Sequence, residues 1–394
     1  MENIYIISGV RTAIGDFGGT LKDMAPATLG KLVIAEAIKR AGIEGRDVQH
    51  VVMGQAIPSE PRDSYVARIA AVEAGVPIEA PALTVNRLCA SGMQAIVSGA
   101  QMIALGEAEV VVSGGTEVMS KSPYVLTASR WGQKMGNMTA IDAMLGVLSD
   151  PFEGIHMGVT AENVATRYQV TREDQDALAV ESHRRAALAQ AEGRFDTQIL
   201  PVELKTRKGV TEFKTDEHVR TDVSLDSMAK LRPAFEKEGS VTAGNASGLN
   251  DGAAAVVLAS QAAVDAKGLK PMAKLIGWGY AGVEPSLMGI GPVKAVPIAL
   301  RRAGLTLDDI DVIEANEAFA SQSCAVAREL GFDPDKVNPN GSGISLGHPV
   351  GASGAIITVK LLYELERTGG RYGLATMCVG GGQGIAIVVE RVEP

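Results

Sequence analysis

Ala41-Gly42-Ile43, followed by Asp47-Val48, returns as Ala303-Gly304-Leu305 followed by Asp309-Ile310, and Ala90-Ser91-Gly92 returns as Ala352-Ser353-Gly354. Both pairs are displaced by the same 262 residues (41 to 303, 90 to 352). A common offset, with the same helix and strand pattern around each copy, marks a duplicated α/β unit rather than two chance matches of common strings. Apolar runs such as Val51-Val52-Met53, Val110-Val111-Val112, Ala254 to Leu258 and Ile385 to Val389 alternate with segments of helical period, as an α/β fold requires. One helix is predicted from Thr28 as N-cap, with Leu29, Leu32, Val33 and Ala37 on one face and Gly42 as its stop. A second is predicted from about Met93, with Ile96, Val97, Ala100 and Ala104 on one stripe, ending at Gly106. Met1 to Ser8 reads as a strand.

The duplication leaves the middle of the chain unmatched. That stretch is richer in charge, holds the polar segment Lys205 to Arg232 and isolated helices such as Arg172 to Ala191, and reads as an insertion. The expected division is a first half over 1–120 and 251–272, an inserted loop domain over 121–250 and a second half over 273–394. Insertions at strand ends of α/β folds carry ligand sites.

Composition narrows the function. The 394 residues are 46% hydrophobic and 21% charged, which excludes a disordered chain or a coiled coil. Lys+Arg number 37 against 46 Asp+Glu, a net charge of -9, which disfavours a protein that binds nucleic acid by neutralising phosphates. The longest weakly polar stretch, Ala253 to Val264, is interrupted by Ser260 and Gln261 and is too short to span a bilayer, so no membrane association is expected. The first residues lack the basic start of a secretory signal and the Arg-rich amphipathy of a transit peptide, and the last, Val392-Glu393-Pro394, carry no peroxisomal address. A cytoplasmic location is the expectation. Three cysteines, Cys89, Cys324 and Cys378, are too few and too far apart for a disulfide framework or a zinc site, so reduced thiols and no metal are expected.

Four places carry chemistry-bearing residues. Cys89 stands just ahead of the predicted Met93 helix, where unpaired N–H groups and the helix dipole favour a thiolate; the residue is a candidate nucleophile or an inert buried thiol. His348, between Gly347 and Pro349, is held as a candidate general base or as a turn residue. Cys378 opens Cys378-Val379-Gly380-Gly381-Gly382, either a source of backbone donors for an oxyanion or a glycine-rich hairpin with an incidental thiol. Asn316 in Asn316-Glu317-Ala318-Phe319 is most simply a helix N-cap. Two thiols, a fixed histidine, an amide and a donor loop at the strand ends of one duplicated fold are more specific together than singly.

In order and context these segments, from Arg11-Thr12-Ala13-Ile14-Gly15 to Cys378-Val379-Gly380-Gly381-Gly382, resemble the thiolase family over essentially the whole chain. Ala80 to Cys89 and Arg371 to Cys378 are most similar to bacterial short-chain β-ketothiolases, especially the broad type linked to polyhydroxyalkanoate synthesis. The resemblance implies two βαβαβαββ halves in a five-layered αβαβα arrangement with a loop domain that binds coenzyme A. It implies a homotetramer built as a pair of tight dimers, and Arg130 to Met138 is taken as the candidate tetramer contact. Its implied activity is a ping-pong Claisen condensation of acetyl-CoA with a short acyl-CoA to a 3-ketoacyl-CoA, and the reverse thiolysis. Coenzyme A is then substrate and product, and no cofactor or metal is expected.

By the same resemblance Cys89 is the nucleophile, His348 its activator and Cys378 the acid/base at the α-carbon. Asn316 holds a water beside His348 in one oxyanion hole, and the Cys89 and Gly380 N–H groups form the other. The implied CoA and acyl contacts are Leu148, His156, Met157, Arg220, Ser227, Phe235, Ala243, Ser247, Met288, Ala318 and Phe319. Arg220 and Ser227 take the nucleotide end, His156 and Ser247 the pantetheine, and Met157, Met288 and Phe319 the acyl group. Segment 201–238 holds eight basic and eight acidic residues, so no basic platform is legible there, and Cys324, His50, His183 and His218 receive no role. Ala90 departs from the glycine that close relatives often carry, a methyl expected to restrict the catalytic turn. A ketoacyl synthase uses two catalytic histidines where this chain has Asn316 and Cys378. A non-catalytic acyl-CoA or lipid-binding relative is the reading from another class, and its mark would be loss of Cys89, His348 or Cys378.

Overall fold

The computed structural model describes residues 3–206 and 209–393. Its main strands are β1 Ile4–Thr12, β2 His50–Gly54, β3 Ala82–Val85, β4 Val110–Val118, β5 Asn250–Ser260, β6 Ala273–Gly282, β7 Val312–Ala315, β8 Tyr372–Val379 and β9 Gln383–Arg391. The principal helices are α1 Pro26–Arg40, α2 Val66–Glu73, α3 Ser91–Ala104, α4 Met157–Arg167, α5 Arg172–Ala191, α6 Gly291–Ala303, α7 Ala320–Leu330 and α8 Val350–Thr368.

The strands run in the order β7-β8-β9-β6-β1-β5-β4-β2-β3. In the first half β3, β2 and β4 are parallel and β5 and β1 follow antiparallel; in the second, β7 and β8 are parallel and β9 and β6 follow antiparallel. The join is short, only Tyr5 with Lys274 and Ile6 with Ala273. The offset of 262 carries β2 onto β7 and β4 onto β8 almost residue for residue. The third strand of the second half is reduced to one parallel bridge, Ile313 with Val337.

Helices α1 and α2 cover the outer face of the first sheet and α6 the outer face of the second, while α3 and α8 lie between the two sheets. Burial on both sides explains the apolar runs Val110 to Val112 in β4 and Ala253 to Ala259 in β5. At the centre α3 crosses α8 on glycines from the repeat itself. A Cβ on Gly92 would come within 2.7 Å of Ala355 N, and one on Gly354 within 2.5 Å of Met93 N. No larger residue permits that approach.

Several local expectations shift. Helix α1 starts at Pro26 with Ala25 as its cap, so Thr28 lies inside the first turn; proline at the first helical position wins because its missing N–H costs nothing there. The first strand is Ile4–Thr12, and Met1 and Glu2 lie outside the described residues. Asn250, placed in the insertion, already pairs in β5. Arg172–Ala191 is a helix over its expected span, opened by the Thr171 and Asp174 capping box.

Buried Arg11 fastens the insertion to the sheet. Its guanidinium donates to both Asp216 oxygens, at 2.7 and 3.0 Å, and to Gln198 Oε1 at 2.8 Å. Both partners of the ion pair are fully buried, and such a pair is strongly destabilised when one member is lost. The same Asp216 accepts Ile14 N–H, which ties segment 216–220 to the start of the first half.

Candidate active site

Cys89 follows a tight turn between β3 and α3. Leu88 has φ +47, a conformation costing on the order of 1–3 kcal/mol for a side chain of this kind, and local hydrogen bonds hold it there. Leu88 N–H donates to Asn86 Oδ1, Asn86 Nδ2 donates to the Ala56 carbonyl, and Ser91 Oγ donates to the Leu88 carbonyl while accepting Arg87 N–H. The strain therefore sits at Leu88. Ala90 caps α3 at φ -88 and ψ 4, ordinary values for alanine, so its methyl does not restrict the turn.

The thiol of Cys89 faces its own N–H and that of Gly380. Gly380 is wedged in place: a Cβ there would lie 2.8 Å from Met157 Cε and 2.9 Å from Leu88 Cδ1. Gly381 and Gly382, at φ +78 and +80, form the hairpin turn from β8 to β9. Of the three glycines, Gly380 is the one that acts on Cys89. The expectation of a thiolate at rest is not met. Burial, together with the Glu117 charge, pushes Cys89 up to about 11 despite the two N–H donors, because desolvation outweighs the helix terminus. Cys378, next to last in β8, is buried and pushed higher still by desolvation and by the neighbouring Cys89 sulfur.

His348 is buried, and burial lowers it to about 4, so the ring is neutral at pH 7. Ser353 Oγ donates its only proton to the Pro349 carbonyl at 2.9 Å and lies 2.6 Å from His348 Nδ1. With the Ser353 proton on that carbonyl, Nδ1 carries the ring proton and the Nε2 lone pair faces Asn316 Nδ2 at 3.5 Å. Gly347, at φ +104, makes the turn, and His348 N–H donates to buried Asn250 Oδ1 at 2.9 Å. Asn316 does not cap a helix. Helix α7 begins four residues later, at Ala320 with Phe319 as its cap, while Asn316 prolongs the pairing of β7 by donating its N–H to the Thr376 carbonyl. Register with β8 decides the place of this residue, not helix initiation.

Cys89, Leu148, His156, Met157, Ser247, Met288, Ala318, Phe319, His348 and Gly380 line one narrow cavity. Cys378 packs at its floor in a cluster with Met157, Met288, Ala318 and Phe319, which Phe235 flanks. His156 caps α4: its Nδ1 accepts Gly158 N–H at 3.0 Å, so the proton of the neutral ring stands on Nε2, and the ring stacks on Phe235 at 4.8 Å. Arg220, Ser227 and Ala243 are not in this cavity. They line a second, more polar one with His183, His218, Leu231 and Ala246. Consecutive residues Ala246 and Ser247 line one cavity each, and Ser247 N–H donates to the Ala318 carbonyl. A third, apolar cavity behind Glu317, lined by Leu178, Val326, Phe332 and Val337, holds no cysteine or histidine among the described residues.

The turn after β3 in one half and the turn before α8 in the other thus bring a thiol and an imidazole into one cavity, with a second thiol beneath. The thiolase N-terminal domain profile matches residues 4–262 and the thiolase C-terminal domain profile residues 269–391. The chain belongs to the thiolase family. It is 62% identical to beta-ketothiolase BktB of Cupriavidus necator, over 99% of this chain and 100% of that one. It is 50% identical to an acetyl-CoA acetyltransferase of Syntrophomonas wolfei, over 99% of each. Among solved structures, the Bacillus anthracis acetyl-CoA acetyltransferase superposes with TM-score 0.97 at 48% identity, covering 100% of this chain and 99% of that one. Human mitochondrial 3-ketoacyl-CoA thiolase in complex with CoA superposes equally, TM-score 0.97 at 42% identity, covering 100% and 98%. The thiolase fold expected from the sequence is the fold of this chain.

Reasoning from sequence missed four residues around this thiolase site. Ser353 and Asn250 fix the histidine, His183 and His218 line the polar cavity, and all four act through contacts that the local strings do not display. One signal for Ser353 was available, since the repeat pairs it with Ser91, which braces the Cys89 turn.

Proposed function

We propose that this thiolase is a broad short-chain β-ketothiolase, an acyltransferase that joins acetyl-CoA to acetyl-CoA or a short acyl-CoA and runs the reverse thiolysis. The observation that carries the reading is the neutral pair of a Cys89 thiol, set against two N–H donors, and a His348 ring with its Nε2 lone pair free. His348 Nε2 takes the Cys89 proton as the sulfur attacks the acyl-CoA carbonyl. The oxyanion forms against the Cys89 and Gly380 N–H groups, each worth about 2.7–4 kcal/mol of barrier by comparison with other such donors. The C–S bond to CoA breaks, and the departing CoA thiolate takes the Cys378 proton.

A second acetyl-CoA then enters. Cys378, now a thiolate, removes a proton from the acetyl methyl, and the enolate oxygen is met by the new Nε2–H of His348 and by a water held at Asn316. The enolate carbon attacks the acyl thioester, Cys89 leaves, and the His348 proton returns to it. Every proton is accounted for by three side chains and the substrates, and no metal or cofactor enters a step.

The bound acyl-CoA lies with its nucleotide end by Arg220, Ser227 and Ala243 and its pantetheine past Ser247, His156 and Leu148. Its acyl group reaches Met157, Met288, Phe235, Ala318 and Phe319. Residues 121–249 act as the loop domain for this substrate, between halves over 1–120 with 250–272 and over 273–394. The assembly is a homotetramer held through the arm near Trp131 and Met135, each 90% exposed in one subunit. A cytoplasmic location keeps both thiols reduced, and the resemblance to the broad bacterial type supports a supply of 3-ketoacyl-CoA to polyhydroxyalkanoate synthesis. Among the described residues no helix is long and apolar enough to cross a membrane.

The test is CoA-dependent thiolysis of four-, five- and six-carbon 3-ketoacyl-CoAs in one assay. Comparable rates on the longer substrates support the broad reading; a sharp drop beyond four carbons makes the enzyme an acetoacetyl-CoA thiolase. No rate on any of them revives the non-catalytic binding reading.

A further inference from the structure

Glu117, on β4, is fully buried and lies between the two catalytic turns without lining the cavity. Its Oε2 accepts Ala56 N–H at 2.8 Å and Gly351 N–H at 2.9 Å, and its Oε1 accepts Ile57 N–H at 3.2 Å. Ala56 and Ile57 belong to the first half and Gly351 to the second.

Each contact leads on to a catalytic group. The Ala56 carbonyl accepts Asn86 Nδ2 at 3.2 Å, and Asn86 Oδ1 accepts the N–H of Leu88, the positive-φ residue that aims Cys89. Gly351 is in the first turn of α8, which holds Ser353 against His348 Nδ1. The fit at this point leaves no slack, since a Cβ on Gly351 would lie 2.5 Å from Glu117 Oε2 and 2.8 Å from Ala56 N. Gly115, two residues earlier on the strand, is pressed as closely against the Gly351 carbonyl.

We propose that Glu117 is a positioning residue: by accepting from Ala56 and Ile57 in one half and from Gly351 in the other, its carboxyl sets the Cys89 turn at a fixed distance from the His348 turn. The two turns come from different halves of the duplication and share no direct backbone hydrogen bond among the described residues. Burial pushes the Glu117 carboxyl up to about 8 against the pull of its three N–H donors, so at pH 7 its oxygens grip the two turns as hydrogen-bond acceptors rather than through a full charge. Reacting groups misplaced by about 1 Å lose on the order of 100-fold in rate, which is the scale on which such a grip acts.

The inference rests on the thiolase reading, and the parent enzyme's thiolysis rate separates the two: no parental turnover defeats the reading, whereas parental turnover with unaffected variants defeats only the inference. The experiment compares Glu117→Gln, nearly isosteric but with an amide N–H turned against a backbone N–H, with Asn86→Ala, which cuts the same relay at its exposed end. Steady-state kinetics and the rate of Cys89 alkylation by iodoacetamide are measured for each, and for the double variant. Expected are falls of about 10- to 100-fold in kcat and in alkylation, with KM unchanged, and a double variant no worse than the poorer single one. Leu275→Ala, a core truncation in β6 away from the site, serves as the control for stability alone and keeps the parental kcat. A parental kcat in either relay variant, multiplying effects in the double variant, or an equal loss in Leu275→Ala overturns the proposal. If Glu117→Gln does not fold, Asn86→Ala decides by the same criteria.

Discussion

Ser353 Oγ lies 2.6 Å from His348 Nδ1 while giving its own proton to the Pro349 carbonyl. A hydroxyl has one proton, and with that proton on the carbonyl the ring takes the tautomer whose lone pair is on the side of the cavity. Ser353→Ala frees the ring to turn or to protonate Nε2. The expected result is a fall of about 100-fold in the rate of Cys89 acylation, the scale of a general base. Stopped-flow measurement of CoA release checks it, and an unchanged burst rate would show that the ring is held by something else.

Cys378 is buried among Met157, Met288 and Phe319, beside the Cys89 sulfur. Cys378→Ala leaves CoA to depart as the thiolate and take its proton from solvent, so the first half-reaction should still release one equivalent of CoA, more slowly, while carbon–carbon bond formation should be abolished. Mass spectrometry of the intact chain would then show acetyl on Cys89 accumulating. Condensation at the parental rate removes Cys378 from the mechanism.

Alkylation of the free enzyme should follow the neutral resting pair. Cys89, an acid pushed up to about 11, is protonated below that value, and His348, a base lowered to about 4, is uncharged above it. Neither group titrates near neutrality, so the iodoacetamide rate should climb from about pH 7 to about pH 10 without levelling. A plateau reached by pH 7 would mean that the thiolate–imidazolium pair already exists before substrate binds.

Gly354→Ala places a methyl 2.5 Å from Met93 N where α8 crosses α3. Overpacking of this kind costs about 1–3 kcal/mol, read as a lower midpoint in urea unfolding. Gly146→Ala, at a site where the added methyl meets nothing within 4 Å, should not destabilise. Equal midpoints for the two variants would show that the crossing adjusts freely.

Trp131 and Met135 stand in solvent at 90% exposure, in the same arm as exposed Tyr124. On the proposed tetrameric assembly, replacing both with serine should leave dimers, seen as half the parental molar mass in light scattering. A mass unchanged by the pair, or by deletion of 130–138, places the contact elsewhere.

The sequence by itself determined the architecture and singled out the candidate reacting groups. Its repeat at 262 residues marked two equivalent halves, because the glycines in Ala90-Ser91-Gly92 and Ala352-Ser353-Gly354 are the points where α3 and α8 cross, and only glycine allows that approach. Cys89, His348 and Cys378 were legible because each stands in a short string whose local conformation is set by its neighbours. Tertiary structure decided their charge. The helix terminus beside Cys89 favours a thiolate, yet burial from both halves removes more solvation than the terminus returns, and the pair rests neutral. It also decided which nitrogen of His348 bears the proton and what ties the two turns together, because Ser353, Asn250 and Glu117 act across the fold, through contacts that no local pattern records.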